Sequence, residues 1–193
     1  MNHVSRFVSE TDTAKKLIDT ILAKNSFKLL SVFLFKSDAQ IHQNEVVRMS
    51  GLSKNTVMKL LSLFTREGML IESRKGNLKL FSLAEGHPVV KQLKILINVS
   101  ELNVILKRFT GKGFEAYLFG SAARGEDTEK SDIDLLIIGK ISNDDLADIT
   151  ARITNAMDRD VNPAIKTPYE YSNLYKTDKA FFQNLERDRI KLI

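Results

Sequence analysis

Apolar positions recur at helical spacing through most of the first half of the chain. In the second half they alternate between strand and helix periods. Leu17, Ile18, Ile21 and Leu22 share one stripe of a short helix over 12–24. Ser26 then reads as an N-cap for 27–35, a stretch apolar most of the way round and so expected at the centre of a core. Val46 and Val47 mark a helix over 43–49, and Gly51 a tight turn. Val57, Leu60, Leu61 and Phe64, at i, i+3, i+4 and i+7, mark the next helix, capped by Ser53 and stopped at Gly68. Two short strands follow, 69–72 and 78–83, joined by Ser73-Arg74-Lys75-Gly76-Asn77. Gly86-His87-Pro88 breaks the chain, with proline suited to a first helical turn. Two stripes come next: Val89, Val90, Leu93, Leu96 and Ile97, then Leu102, Ile105, Leu106 and Phe109.

The remainder reads as a strand over 114–119, a Gly-Ser turn, a strand opening at Asp132 and a helix over 142–157. A strand over 160–165 follows, in which Pro163 argues for an edge or a bulge. Thr167, Pro168 and Glu170 form a capping box before the next helix. A last helix over 178–186 precedes a final strand at 190–193. The order predicts an α+β protein.

The chain has 193 residues, enough for one domain or two small ones. Its charge is uneven: +7 over residues 1–100 and −2 over residues 101–193. A basic first half suits nucleic acid, although excess lysine also serves plain solubility. With no cysteine, disulfides, thiolate metal sites and a cysteine nucleophile are excluded. His3, His42 and His87 are scattered without metal-ligand spacing and read as surface or capping residues. No apolar run reaches the roughly 18 residues that span a bilayer. The first residues lack an apolar core and a small-residue cleavage site. A cytoplasmic protein without a membrane segment is the expectation.

The densest chemistry lies in Gly120-Ser121-Ala122-Ala123-Arg124-Gly125-Glu126 and Ser131-Asp132-Ile133-Asp134-Leu135. Strand side chains alternate, so Asp132 and Asp134 share a face about 6.5–7 Å apart along the backbone. Two such carboxylates can hold divalent cations about 3.5–4 Å apart around a phosphoryl group. Gly120 and Ser121 supply backbone N–H groups and a hydroxyl to a phosphate, and Arg124 a charged fork.

This text resembles the DNA polymerase beta-like nucleotidyltransferase superfamily in its minimal branch, over roughly residues 97–193. The resemblance implies a small mixed sheet backed by helices, Mg²⁺ on Asp132 and Asp134, and an NTP whose phosphates sit at Gly120, Ser121 and Arg124. The implied reaction moves a nucleoside monophosphate to a hydroxyl. It also implies a third carboxylate on a neighbouring strand, in a pattern like Val-Asp. The matching place here reads Val161-Asn162. An amide is a neutral ligand and accepts no proton as a base. Asp160 shares a face with Asn162 and either substitutes for it or simply starts the strand.

Residues 26–84 resemble a winged helix-turn-helix domain, best in Asn44-Glu45-Val46-Val47-Arg48-Met49-Ser50-Gly51-Leu52-Ser53-Lys54-Asn55-Thr56-Val57. The apolar stripe of the helix after Ser53 leaves Lys54, Asn55, Thr56 and Lys59 on its outer face, where they can reach phosphates or base edges. Arg74 and Lys75 fall at the tip of the wing, and Arg66 and Lys79 add to the field. The expected division is a helical extension 1–25, a winged helix-turn-helix domain 26–85, a helical linker 86–110 and a nucleotidyltransferase-like domain 111–193. The expected function is a DNA-binding regulator, antitoxin-like in its family context, carrying a nucleotide-binding module. The alternative is an active Mg²⁺-dependent nucleotidyltransferase acting on a protein, RNA or small-molecule hydroxyl. Expected partners are double-stranded DNA, an NTP, a toxin-like protein and a second copy; the stripe from Val89 to Ile97 either meets that copy or packs within the chain.

Overall fold

The structure is a computed structural model that describes residues 15, 18–34, 36 and 39–193. The chain divides into two compact units, one ending at Ala84 and one spanning Glu85–Ile193.

The first unit holds α1 (Lys24–Leu34), β1 (Ile41–His42), α2 (Gln43–Ser50), α3 (Lys54–Arg66), β2 (Leu70–Lys75) and β3 (Leu78–Leu83). The start of the expected first helix, Leu17 included, lies outside the described residues, as do His3 and Phe35. Residues 18–22 are helical and run into a bend at Ala23. Ser26 is therefore not a cap: α1 has already begun at Lys24, and Ser26 is buried inside it. Leu29, Leu30 and Phe33 of α1 are fully buried, as are Val46, Val57 and Phe64. The three helices pack on one another. Gly51 closes α2 with φ +61°, a left-handed value that glycine adopts without a steric penalty. Ser53 caps α3, its hydroxyl accepting from the Thr56 N–H at 3.2 Å. The sheet order is β1-β3-β2, all antiparallel. The hairpin is tighter than its sequence suggested: β2 runs on through Lys75, leaving Gly76 and Asn77 as the turn. Pairing of Arg74 with Lys79 and Lys75 with Leu78 carries the strands out to that turn.

The second unit holds α4 (Pro88–Leu106), a 3₁₀ turn (Lys107–Phe109), β4 (Phe114–Phe119), α5 (Gly120–Arg124), β5 (Ile133–Gly139), α6 (Asn143–Met157), β6 (Val161–Lys166), α7 (Pro168–Thr177), α8 (Lys179–Asp188) and β7 (Ile190–Lys191). Residues 86–110, expected as a linker, are one continuous helix and a closing turn built into this unit. The two stripes join because nothing between Ile97 and Leu102 breaks a helix, and Leu102, Leu106 and Phe109 bury themselves in the core. Of the stripe offered for a second copy, Val90 and Leu93 are buried by the chain itself, Val89 and Ile97 are half-buried and Leu96 stays 54% exposed.

The sheet order is β6-β5-β4-β7. β5 and β6 are parallel, as the crossover through α6 requires, and the other pairs are antiparallel. Alternation divides the sheet cleanly. Phe114, Ala116, Leu118, Ile133, Leu135 and Ile137 face α4, α5 and α6. Tyr117, Phe119, Leu136, Ile138 and Ala164 face Leu174 of α7 and Leu185 of α8. Pro163 lies in β6, an edge strand, where its missing N–H costs no ladder bond on the outer side. Thr167 and Glu170 form the reciprocal capping box of α7. His42 and His87 cap α2 and α4, each Nδ1 accepting a backbone N–H two residues on.

Candidate functional site

One end of the second unit's sheet gathers Gly120, Ser121, Asp132, Asp134, Asp160 and Asn162. Phe119, the last residue of β4, lies across from Asp134, so the chain leaves β4 beside that carboxylate and turns directly into α5. The Gly-Ser turn is therefore the first turn of a short helix. Gly120 has φ +74°, and a Cβ built on it would stand 2.2 Å from Asp134 Oδ2. The missing side chain is what lets the carboxylate lie against the backbone.

Asp132 is exposed and sits one residue before β5; Asp134 is half-buried within it. Parallel register sets Asn162 across from Asp134, and Asn162 Nδ2 donates to Asp134 Oδ1 at 3.0 Å. Asn162 is thus beside Asp134, and its amide orients that carboxylate by donating a hydrogen bond. Asp160 is exposed, one residue before β6, and its carbonyl accepts from the Ile133 N–H at 2.8 Å.

The two carboxylates are hard oxygen donors. They fit Mg²⁺, which is commonly held by one or two carboxylates while water and phosphate complete its shell. The close approach of the Asp134 carboxylate to the Gly120 backbone, which a Cβ would block, supports the same fit. Among the described residues, no group of three His, Cys, Asp or Glu forms a fuller metal cage.

Arg124 is differently placed from its expected role. Its Nε donates to Glu126 Oε2 at 2.8 Å and its Nη1 to Asp188 Oδ2 at 2.8 Å. The fork thus ties α5 to the end of α8, with both sides engaged by carboxylates. Glu126 also accepts from Lys91 Nζ at 2.7 Å. The hydrogen bonds from Lys91 and then Arg124 hold its carboxyl down to about 2. Asp188 is likewise held below the ordinary carboxylate range, first by Arg187 and then by Arg124.

Sequence reasoning missed a buried polar cluster behind the site. Arg159 and Asp127 are each 4% exposed along the side chain and meet at 2.7 Å. Asn98 Nδ2 donates to Asp127 Oδ2 at 3.0 Å and to the Ala122 carbonyl at 3.2 Å. Lys94 Nζ donates to the Asp127 carbonyl at 2.7 Å. A signal did exist. Lys94 and Asn98 interrupt a buried row at spacing four, Val90, Lys94, Asn98, Leu102 and Leu106. Polar groups on such a row need buried partners.

In the first unit, Lys54, Asn55 and Lys59 are exposed on α3, as are Arg74 and Lys75 beside the hairpin turn. No ion pair among the described residues holds these four cations. Thr56 is half-buried, its hydroxyl 2.8 Å from that of Ser53 in the cap. Arg66 is paired with Glu67 and Lys79 with Glu72, so these two add less free charge than expected. No helix among the described residues is long and apolar enough to cross a membrane.

Comparison with known proteins bears on the second unit. Residues 99–190 match the family described as nucleotidyltransferase domain. A protein of Methanocaldococcus jannaschii, named as a candidate protein adenylyltransferase, is 30% identical over 90 residues, covering 46% of this chain and 88% of the relative. Among solved structures, a predicted DNA-binding transcriptional regulator from E. coli has 17% identity and a TM-score of 0.37, covering 49% of this chain and 99% of its own. A toxin–antitoxin structure with AMP-PNP has 21% identity and a TM-score of 0.37, covering 50% of this chain and 73% of its own.

Proposed function

The chain belongs to the nucleotidyltransferase domain family, and on that premise we propose that its second unit binds an NTP and transfers nucleotide only feebly. The family's chemistry, where a site is active, is transfer of a nucleoside monophosphate from an NTP. The observation that carries the proposal is the hydrogen bond from Asn162 to Asp134. A carboxylate at that place would accept the proton of an attacking hydroxyl; the amide donates instead and holds Asp134 in one orientation. Asp132 and Asp134 are the residues that would hold Mg²⁺, which when bound neutralises charge on the triphosphate. Gly120 lets Asp134 lie against the backbone, and Ser121 offers its N–H and hydroxyl to phosphate. Arg124 reaches an incoming phosphate by exchanging Glu126 or Asp188 for it.

The first unit is the DNA-binding half of this reading. Its support is the order of three helices and a hairpin, with Lys54, Asn55, Lys59, Arg74 and Lys75 exposed. Thr56 serves the cap first and a phosphate second. The whole is then a DNA-binding regulator whose state responds to a nucleotide. An antitoxin-like role with a toxin-like partner follows from the family resemblance and extends the same reading.

The second reading is an active transferase that adenylylates a protein hydroxyl, favoured by the 30% identity to a candidate protein adenylyltransferase. Two measurements separate them. Calorimetry with ATP, CTP, GTP and UTP, with and without Mg²⁺, is expected to show Mg²⁺-dependent binding that Asp132→Asn abolishes. Labelled NTP with candidate acceptors is expected to give little transfer. Robust transfer by the wild type would replace the regulator with the enzyme.

A further inference from the structure

The loop between α5 and β5 carries Asp127 at one end and Asp132 at the other. It has no strand partner, yet its end must be fixed for Asp132 and Asp134 to act together. Bonds between Thr128 and its neighbours fold it on itself, among them the Thr128 N–H to Ser131 Oγ at 2.9 Å and the Ser131 N–H to the Thr128 carbonyl at 3.1 Å. Arg159, at the end of the α6–β6 crossover, adds bonds to both ends of the loop. Its Nε donates to the Ser131 carbonyl at 2.6 Å and its Nη2 to the Asp132 carbonyl at 3.3 Å. Its Nη1 donates to Asp127 Oδ2 at 2.7 Å. One planar guanidinium therefore clasps both ends of the loop, including the backbone of Asp132 itself.

The clasp is held from behind. Asn98 of α4 donates to the same Asp127 oxygen and to the Ala122 carbonyl of α5, so the helix that begins at Gly120 is tied to the same centre. Asp127 Oδ1 is buried without a hydrogen bond, so the carboxylate is held through Oδ2 alone. Arg159 follows Asp158, which closes α6 at a left-handed φ of +53°. That turn delivers the guanidinium under β5 rather than out to solvent.

We propose that Arg159, seated by Asp127 and Asn98, is a positioning residue for the Asp132–Asp134 pair. It touches neither nucleotide nor metal; it fixes where β5 begins, and so where Asp132 projects relative to Asp134. The inference rests on reading those two aspartates as the metal-holding pair. Lysine is the telling replacement. It retains the charge for Asp127, but one ammonium cannot span Asp127, Ser131 and Asp132 in a plane.

The test uses the full chain and two readouts. Hydrogen exchange in Arg159→Lys is expected to accelerate about tenfold at the Thr128, Ser131 and Ile133 amides, while Leu135 to Ile137 exchange as in wild type. Mn²⁺ affinity, followed by the spectroscopic signal of the free ion, is expected to fall about tenfold in the same variant. Unchanged exchange at those three amides overturns the proposal. So does uniform acceleration throughout β5, the mark of a merely structural role, and so does wild-type Mn²⁺ affinity. Should Arg159→Lys lose its cooperative melt, Asp127→Asn carries both readouts, since it keeps the shape and an acceptor for Arg159. If the wild type binds no Mn²⁺, the metal reading of the site fails, and the exchange pattern still decides whether Arg159 positions the loop.

Discussion

The two units assemble their candidate sites by opposite means. In the first, Lys54, Asn55 and Lys59 are close neighbours on one helix, and Arg74 and Lys75 are adjacent on one hairpin. All are exposed, and no ion pair among the described residues holds the four cations. In the second, Asp134, Asn162, Gly120 and Arg159 come from separate elements and are fixed by register, hydrogen bonds and a buried ion pair. The difference follows from what each site would recognise. Phosphates along a duplex are attracted over several ångströms by mobile cations. A phosphoryl group and its metal demand carboxylates placed to within about 0.5 Å, which a flexible surface cannot supply.

The sharpest way to break this comparison is to disturb the second unit's backbone. Gly125 has φ +64°, and a Cβ there would stand 2.2 Å from the Lys91 carbonyl, a backbone atom of α4. Gly125→Ala is expected to cost about 3 kcal/mol or more, moving the melting point of this unit by over about 10 °C. Calorimetric melting checks it, and a near-wild-type melt would show that the packing of α4 on α5 is looser than described. Gly120→Ala strikes a side chain, Asp134, which can yield. It is expected to leave a folded unit whose Mg²⁺·ATP binding is lost by about 10²-fold, since the displaced carboxylate no longer meets the metal.

Asn162→Asp comes next. It replaces a donated hydrogen bond with a like charge beside Asp134, so the metal-free protein is expected to lose about 1 kcal/mol. Added Mg²⁺ should more than restore that loss relative to wild type, reversing the order of melting temperatures between variant and wild type. Transfer of labelled nucleotide should rise, toward the roughly 10²–10⁴-fold that a general base contributes. A variant as feeble as wild type would mean that the missing base is not what limits transfer.

In the first unit the expected effects are smaller and additive. Lys59→Ala and Arg74→Ala should each weaken duplex DNA binding and lower its salt slope by about one phosphate, with melting unchanged. Unchanged binding in both would leave the exposed cations as plain solubilising charge. The smallest effect is a titration. Lys91 and Arg124 hold the Glu126 carboxyl down from its ordinary 4.5 to about 2. Because the folded value is the lower one, the stability these ties contribute is complete above pH 4.5 and is lost as pH falls through about 2. A carboxyl NMR titration of folded protein with a midpoint near 4.5 would show that Arg124 is not engaged as described.

Local chemistry wrote much of this protein into its sequence. Ser53, Ser142 and the Thr167–Glu170 box start their helices where they stand, because a cap is satisfied within three residues of itself. The strand alternation that puts Asp132 and Asp134 on one face is equally local, as is the outer face of α3. Tertiary structure decided the rest. Ser26 lost its capping role to a helix that had already begun, and the expected linker became a core helix once its second stripe found the sheet. Arg124 reads in sequence as a phosphate fork, but Asp188, 64 positions away, engages it. The clasp of Arg159 on Asp127 and Asp132 has no local signature at all, since a buried guanidinium is satisfied only by groups that the fold brings to it from distant segments.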